Sequence, residues 1–402
     1  MFDLVSFIKK RVVFRDESLF INDIRNNIDV LKTKIEDKSF LVIGGAGSIG
    51  SSFIKAILQF KPSELVIVDI NENALAELTR DLRSTKDLYI PGKYITYPMD
   101  YASNTFEKMF RHHGRFDVVG NFSAHKHVRS EKDIYSIEAL IQNNVMNAKG
   151  LLDLLVEYPP EEYFCVSTDK AANPVNIMGA SKRIMEDIIF SYSDFFDVKT
   201  ARFANVAFSN GSLPAGFVAR MSKLQPISAP YDVKRYFVSP EESGQICMLA
   251  CMLGKNREIF FPKLAEEQMV TFDSIATEFI KAHGYRVLEC NSDYDAVEKA
   301  SELKKGSLDY PVHYSKSNTS GEKEYEEFYT NQENVALDIY DSLGVIRGKT
   351  IPDKSSILCL YKKLKIEFDK EETSKEKIIN VLKEYLPNFE HIETGKNLDS
   401  KM

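Results

Sequence analysis

Hydrophobic and polar positions follow two different periods along this chain, and the change from one to the other divides it. Within residues 1–37, Asp16-Glu17-Ser18 precedes Leu19-Phe20-Ile21, and Ile24, Ile28, Leu31 and Ile35 recur at helical spacing. This predicts a helical amino-terminal extension. Its first stretch, Phe2 to Phe14, is amphipathic and is expected to pack on the protein or on a partner subunit. From residue 38 the pattern is different. Phe40-Leu41-Val42-Ile43 reads as a buried strand, with a helix from Ser51 to Phe60. Leu65 to Asp69 is a second strand, followed by a helix from Glu72 to Leu82. Tyr94–Pro98, Phe116–Val119 and Tyr163–Ser167 are further strands, with helices between them. Strands alternating with helices imply right-handed crossovers, so the fold class is α/β with a Rossmann-like, doubly wound parallel sheet.

Residues 38–205 are therefore expected to form a dinucleotide-binding domain. Beyond residue 205 the alternation thins, and Pro214, Pro226, Pro230, Pro240 and Pro262 punctuate the chain. This predicts a smaller substrate-binding region over 206–350, with later segments returning to the first domain. Residues 351–402 carry two more predicted helices, the second opening on Thr373-Ser-Lys-Glu376, a capping-box pattern.

Composition removes several functions. At 402 residues, 44% hydrophobic and 28% charged, the chain can bury a full core. A net charge of −7 argues against nucleic acid as the main partner. No apolar run approaches the roughly 18 residues of a membrane span, so a cytoplasmic protein without a membrane span is expected. The five cysteines are odd in number and lack ligand spacing, which fits small core residues in a reducing compartment. No metal is expected: His125-Lys-His127 has no acidic or cysteine partner at metal spacing.

Candidate chemistry begins at Gly44-Gly-Ala-Gly47-Ser48-Ile49-Gly50, between a buried strand and an amphipathic helix. Gly44 permits a tight turn, Gly47 lets backbone approach a pyrophosphate, and Gly50 allows close helix packing. Ser48 and Ile49 complete the loop. Asp69, about 20 residues on, suits ribose hydroxyls and would repel a 2′-phosphate, which favours NAD over NADP. Asp100 ends another strand and is placed for an adenine amino group. Ser123 and Ala124 would border the same cofactor.

A second motif is Ser167-Thr168-Asp169-Lys170, followed by Met178-Gly-Ala-Ser-Lys182. A short-chain dehydrogenase would have Tyr four residues before Lys182. Met178 stands there instead, and a thioether cannot exchange a proton. With the glycine loop in place, the chain resembles the extended short-chain dehydrogenase/reductase superfamily. Within it, the polysaccharide-biosynthesis branch of UDP-N-acetylglucosamine 4,6-dehydratases is the match, in its Met-containing form. Ala124-His-Lys126-His127-Val128, Asn144-Val145, Arg202-Phe-Ala-Asn205-Val206, Gly211-Ser212-Leu-Pro214, Lys234-Arg235-Tyr-Phe, Glu258 to Lys263 and Gly321-Glu-Lys323 carry the resemblance in order. His125 and Arg129 depart from the pattern, and residues 352–402 have no counterpart in it.

The resemblance implies NAD, tightly bound and regenerated each cycle, and a UDP-sugar substrate. Oxidation at C4 makes H5 acidic, water leaves across C5–C6, and the hydride returns to C6. Asp169 is then the acid at O6 and Lys170 the base at H5. Thr168 would meet O4, and Lys182 would hold the ribose hydroxyls. Asn205 and Arg235 would bind the sugar nucleotide, with Lys126 and His127 bordering the sugar. Retention at C5 is favoured, because Met-containing relatives tend that way. A surface-glycan or nonulosonic acid role and a homo-oligomer built on the terminal helices are also expected. Two other readings stay open: a UDP-sugar 4-epimerase or 4-ketoreductase, which would want the missing Tyr, and a catalytically silent NAD-binding scaffold.

Overall fold

The computed structural model describes residues 2–127, 131–304, 306–317, 323, 325, 327–350 and 352–393. Val128, Arg129, Gly321 and Glu322, used above for the resemblance, lie outside them. Among the described residues, sixteen strands form in chain order. The first six are β1 Ser39–Ile43, β2 Glu64–Asp69, β3 Lys93–Pro98, β4 Val118–Asn121, β5 Glu162–Thr168 and β6 Asp197–Phe203. Five shorter or later ones follow: β7 Asn205–Val206, β8 Ile227–Pro230, β9 Lys234–Arg235, β10 Phe237–Val238 and β11 Glu258–Pro262. The last are β12 Val270–Thr271, β13 Arg286–Glu289, β14 Asp309–Ser315, β15 Asn334–Ala336 and β16 Leu343–Arg347.

The main sheet has the order β15-β16-β11-β6-β5-β4-β1-β2-β3. All pairs from β3 to β11 are parallel, and β16 and β15 add an antiparallel edge. The order reverses direction between β1 and β4. Ligand crevices of open α/β sheets form at such a point, beyond the carboxyl ends of the strands. Successive β1 side chains serve opposite faces, as strand geometry requires. Leu41 and Ile43 join the core under the helices Asn104–His113, Ala148–Leu155 and Ile177–Phe190. Phe40 and Val42 join the core under Ser48–Leu58 and Pro240–Leu253.

A second sheet, β13-β14-β8, is all parallel and packs with Phe217, Phe279 and Tyr310 in a separate core. Phe7, Ile8, Val12 and Val13 of the amino-terminal arm are buried in that core. The arm is not one continuous run of helix. Leu4–Phe7 passes into a wider π turn over Ile8–Val12, and Phe14 then adopts a left-handed φ of 53°. The helices Ile21–Asn26 and Ile28–Ile35 instead place Leu31 and Ile35 on the large-sheet core.

Other local differences also have clear causes. The strand expected at Phe116 starts at Val118, because the Asp117 carboxylate accepts from the Ser39 N–H (2.9 Å) and hydroxyl (2.8 Å). The final helix begins at Lys375, with Ser374 rather than Thr373 accepting at its start. Four cysteines are buried, whereas Cys359 is exposed on the helix Lys354–Phe368.

Candidate active site

Five strand ends converge on the β1/β4 crevice. Leaving β1, Gly44 takes φ +70°, a conformation that favours glycine, and its N–H donates to Val68 (2.7 Å). A Cβ at Gly44 would lie 2.6 Å from the Ser123 nitrogen, so the loops after β1 and β4 touch through bare backbone. At Gly50, a Cβ would meet the Gly44 carbonyl at 2.4 Å. The helix Ser48–Leu58 thus starts as close to the loop as a chain can approach, with Gly47 just before its first turn. The first N–H groups of a helix have no intrahelical acceptor, so this start suits an anion. Ser48 has a second role: its hydroxyl accepts the Asn210 N–H (2.9 Å), tying this loop to the turn after β7. Ile49 is partly buried and packs against both cores of the large sheet.

Asp69 ends β2 with its carboxylate already aimed, accepting from Ala46 N–H (3.0 Å) and Asn71 N–H (2.9 Å). Asp100, exposed after β3, accepts from Ala102 N–H (2.8 Å). Ser123 follows β4, its N–H on the Asn121 amide oxygen (3.0 Å) and its hydroxyl 3.3 Å from the Asn143 oxygen. Ala124 is half-buried beside it. A loop that a Cβ would fill, a helix start and an oriented carboxylate fit a dinucleotide along this crevice.

The loop after β4 is held by Asn144, which lies in a π-helical turn over Gln142–Asn147. Its side-chain oxygen accepts the His125 N–H (2.9 Å), and its amide donates to the His125 carbonyl (2.9 Å) and the Ser181 hydroxyl (3.0 Å). Such π turns are frequent at functional sites. Lys126 reaches solvent, yet desolvation by surrounding protein lowers its pKa. His127 packs against Gly211, where a Cβ would come within 2.8 Å of its Nε2.

At the end of β5, Thr168 leads into a single tight turn, Asp169–Ala171. One Asp169 oxygen, Oδ1, accepts the Thr168 hydroxyl (2.8 Å), the Lys170 N–H (2.9 Å) and the Lys170 ammonium (3.0 Å). Asp169 is 5% exposed, so this is no surface pair. The helix Ile177–Phe190 abuts the turn: a Cβ on Gly179 would lie 2.6 Å from the Lys170 carbonyl. Met178 is 2% exposed and packs in the apolar core. Lys182, also buried, donates to the Val166 carbonyl (3.1 Å), and burial lowers its pKa.

Asn205 is half-buried in β7, its N–H on the Tyr236 carbonyl (3.0 Å). Arg235 is buried, and its guanidinium donates to the carbonyls of Lys234 (2.8 Å) and Lys323 (3.0 Å). The glycine loop, Asp69, Ser123 and Thr168–Lys170 therefore share the carboxyl end of the sheet. Asn205 and Arg235 stand on the short strand pairs leading to the smaller region.

Sequence reasoning missed a buried ionic buttress behind the site. Arg202, on β6, is fully buried between the carboxylates of Glu186 and Glu333. Glu186 also accepts the Ser167 hydroxyl (2.7 Å) and the Lys349 ammonium (3.0 Å). It thereby joins the helix Ile177–Phe190 to the strand ending in Thr168. One signal was available: Glu186 and Asp187 interrupt an otherwise apolar run, Ile184 to Phe190. Glu131 was also missed; its carboxylate accepts the Met178 N–H (3.0 Å).

The chain is similar in sequence and in fold to several known proteins. An uncharacterized membrane protein of Methanocaldococcus jannaschii is 29% identical, over 87% of this chain and 96% of its own length. In the present chain, no helix among the described residues is long and apolar enough to cross a membrane. An inverting UDP-N-acetylglucosamine 4,6-dehydratase of Campylobacter jejuni is 28% identical, over 56% of this chain and 67% of its own length. The probable polysaccharide biosynthesis protein EpsC of Bacillus subtilis is 27% identical over 82% of this chain, which spans about half (51%) of that relative's length. Among solved structures, Pen from Bacillus thuringiensis aligns with TM-score 0.63 at 20% identity, covering 88% of this chain and 98% of its own. DesIV, a dTDP-glucose 4,6-dehydratase from Streptomyces venezuelae solved with NAD, aligns with TM-score 0.54 at 18% identity, covering 72% and 88%. Both share the Rossmann-type fold. The sequence matches the polysaccharide biosynthesis protein family over residues 40–347, most of the chain, and the protein belongs to that family, a branch of the extended short-chain dehydrogenases/reductases.

Proposed function

We propose that the protein is an NAD-dependent 4,6-dehydratase of UDP-N-acetylglucosamine, acting in surface-glycan or nonulosonic acid synthesis. One observation carries the reading: Asp169 Oδ1 accepts both the Thr168 hydroxyl and the Lys170 ammonium, in a buried turn at the ligand end of the sheet. NAD would lie with its pyrophosphate on Gly44–Gly50 and its ribose hydroxyls on Asp69, with Asp100, Ser123, Ala124 and Lys182 along its length. When bound, it would take the C4 hydride and return it to C6.

The protons are the protein's task. With Met178 inert, the O4 proton passes to the Thr168 oxygen as Thr168 passes its own to Asp169, along the 2.8 Å hydrogen bond. Asp169 is then a carboxylic acid, ready to protonate O6 as it leaves as water. Lys170, once its ammonium proton has been released to solvent before turnover, removes H5 as the amine and returns that proton to C5. The O4 proton thus ends in the water released. Proton return by the group that removed it favours retention at C5, although the Campylobacter relative is named inverting. Lys126, His127, Asn205 and Arg235 are the proposed sugar-nucleotide contacts, and the active form is proposed to be a homo-oligomer.

The test is incubation of the purified protein with UDP-N-acetylglucosamine and mass spectrometry of the product. Loss of one water supports the reading; an unchanged mass with a new hexosamine epimer supports a 4-epimerase instead. Unchanged substrate in the presence of bound NAD refutes both. NMR of the product reads the C5 configuration.

A further inference from the structure

The carboxyl-terminal extension reaches the catalytic turn by a route that the dehydratase reading does not use. The helix Ile177–Phe190 begins with N–H groups that need acceptors. Asn176 takes that of Gly179 (2.7 Å), and Glu131 Oε1 takes that of Met178 (3.0 Å). A buried carboxylate there also complements the positive end of the helix. Glu131 is itself gripped by the extension. Its other oxygen lies 3.2 Å from His391 Nε2, and its carbonyl accepts the Lys375 ammonium at 3.3 Å. One residue beyond His391, the Ile392 N–H donates to the Val175 carbonyl (2.9 Å). Ile378, Leu382 and Phe389 bury in the large-sheet core and anchor this segment.

The helix start and the catalytic turn meet without an intervening side chain, because Gly179 sits on the Lys170 carbonyl. A shift at Met178 is therefore passed directly to Lys170. We infer that Glu131 is a positioning residue, and that the carboxyl-terminal extension sets the Asp169–Lys170 geometry by holding it. The kinetic part of this inference rests on the dehydratase reading; the structural part does not.

Hydrogen–deuterium exchange of the full chain, read on peptides spanning residues 175–180, tests it alongside kcat and KM. Glu131→Ala should accelerate exchange at the Met178 amide about tenfold or more, the loss expected for a hydrogen bond to a charged acceptor. Glu131→Gln keeps an oxygen for that N–H and should restore most of the protection. His391→Ala, far away in sequence, should accelerate the same amide. In Glu131→Ala, kcat should fall about 10–100-fold with KM nearly unchanged, the signature of a misplaced catalytic group. Unchanged exchange in Glu131→Ala or in His391→Ala overturns the inference, as does accelerated exchange with wild-type kcat. If the wild type dehydrates nothing, the functional reading fails, while accelerated exchange in both variants still supports the clamp.

Discussion

Replacing Arg202 with Met would remove the centre of the buried ionic cluster. The guanidinium makes five hydrogen bonds: two to Glu186 (2.9 and 2.8 Å), two to Glu333 (2.8 and 2.7 Å) and one to the Phe328 carbonyl (2.9 Å). Met fills much of the same space, so the cavity contribution is small. What remains is charge. Glu186 keeps Lys349 and Ser167, and Glu333 keeps the Thr330 N–H, so neither carboxylate is fully orphaned. Breaking a buried pair by removing one partner costs about 3–5 kcal/mol, and the surviving contacts place this case toward the lower end. Arg202→Lys keeps the charge but loses the two-pronged fit and should cost less.

The pH dependence is a second, independent readout. Burial alone would raise the Glu186 carboxyl; the charges of Arg202 and Lys349 outweigh it and hold the group well below the usual range. A carboxyl depressed in the folded state contributes stability that is full above its unfolded pKa of about 4.3, and loses it as pH falls through the folded value. Without Arg202 the carboxyl moves up, and protonation relieves its buried charge. The gap between wild type and Arg202→Met should therefore be widest near neutral pH and narrow as acidification protonates the carboxyl in the variant first. Equilibrium urea unfolding followed by circular dichroism measures it, since the chain has no tryptophan. A loss below about 1 kcal/mol at pH 7, or a gap that widens on acidification, would refute the assignment.

Three further substitutions bear on the site. Gly50→Ala forces a Cβ to within 2.4 Å of the Gly44 carbonyl, so NAD affinity by calorimetry should fall at least about tenfold; near wild-type binding would contradict the cofactor placement. Asp169→Asn keeps the shape but cannot deliver a proton to O6, so kcat for water loss should drop about 10²–10⁴-fold by mass spectrometry, and a drop under tenfold would exclude Asp169 as the acid. Met178→Tyr puts a larger, polar side chain into a core site that is 2% exposed and should destabilise the fold by about 1–3 kcal/mol without raising kcat. A rate above wild type would contradict the Thr168 relay.

Period and punctuation were enough to read five strands of the large sheet, β1 to β5, while β6, β11, β15 and β16 escaped them. Strands such as Leu65–Asp69 show as short apolar runs because a parallel sheet buries both of their faces, and the glycine loop shows by its place between such a strand and a helix. The turn after β5 was legible because the bonds among Thr168, Asp169 and Lys170 are local in sequence. What period could not convey is partnership across the chain. Glu131 is an ordinary acidic residue in a polar stretch until the tail brings His391 beside it. Arg202 looks like one charge in a strand until Glu186 and Glu333 enclose it.

Position 178 shows how such distant partners change a local reading. From the motif alone, Met178 is a lost phenol and Lys182 a retained catalytic residue. In the fold, the Met178 side chain is core, its N–H belongs to Glu131, and the Lys182 ammonium bonds to the Val166 carbonyl. Lys182 thereby ties the helix to β5, the strand that ends in Thr168, while Met178 ties its start to Glu131. On the proposed mechanism position 178 carries no proton, and loosening the helix that abuts Asp169–Lys170 should cost catalysis more than it costs binding.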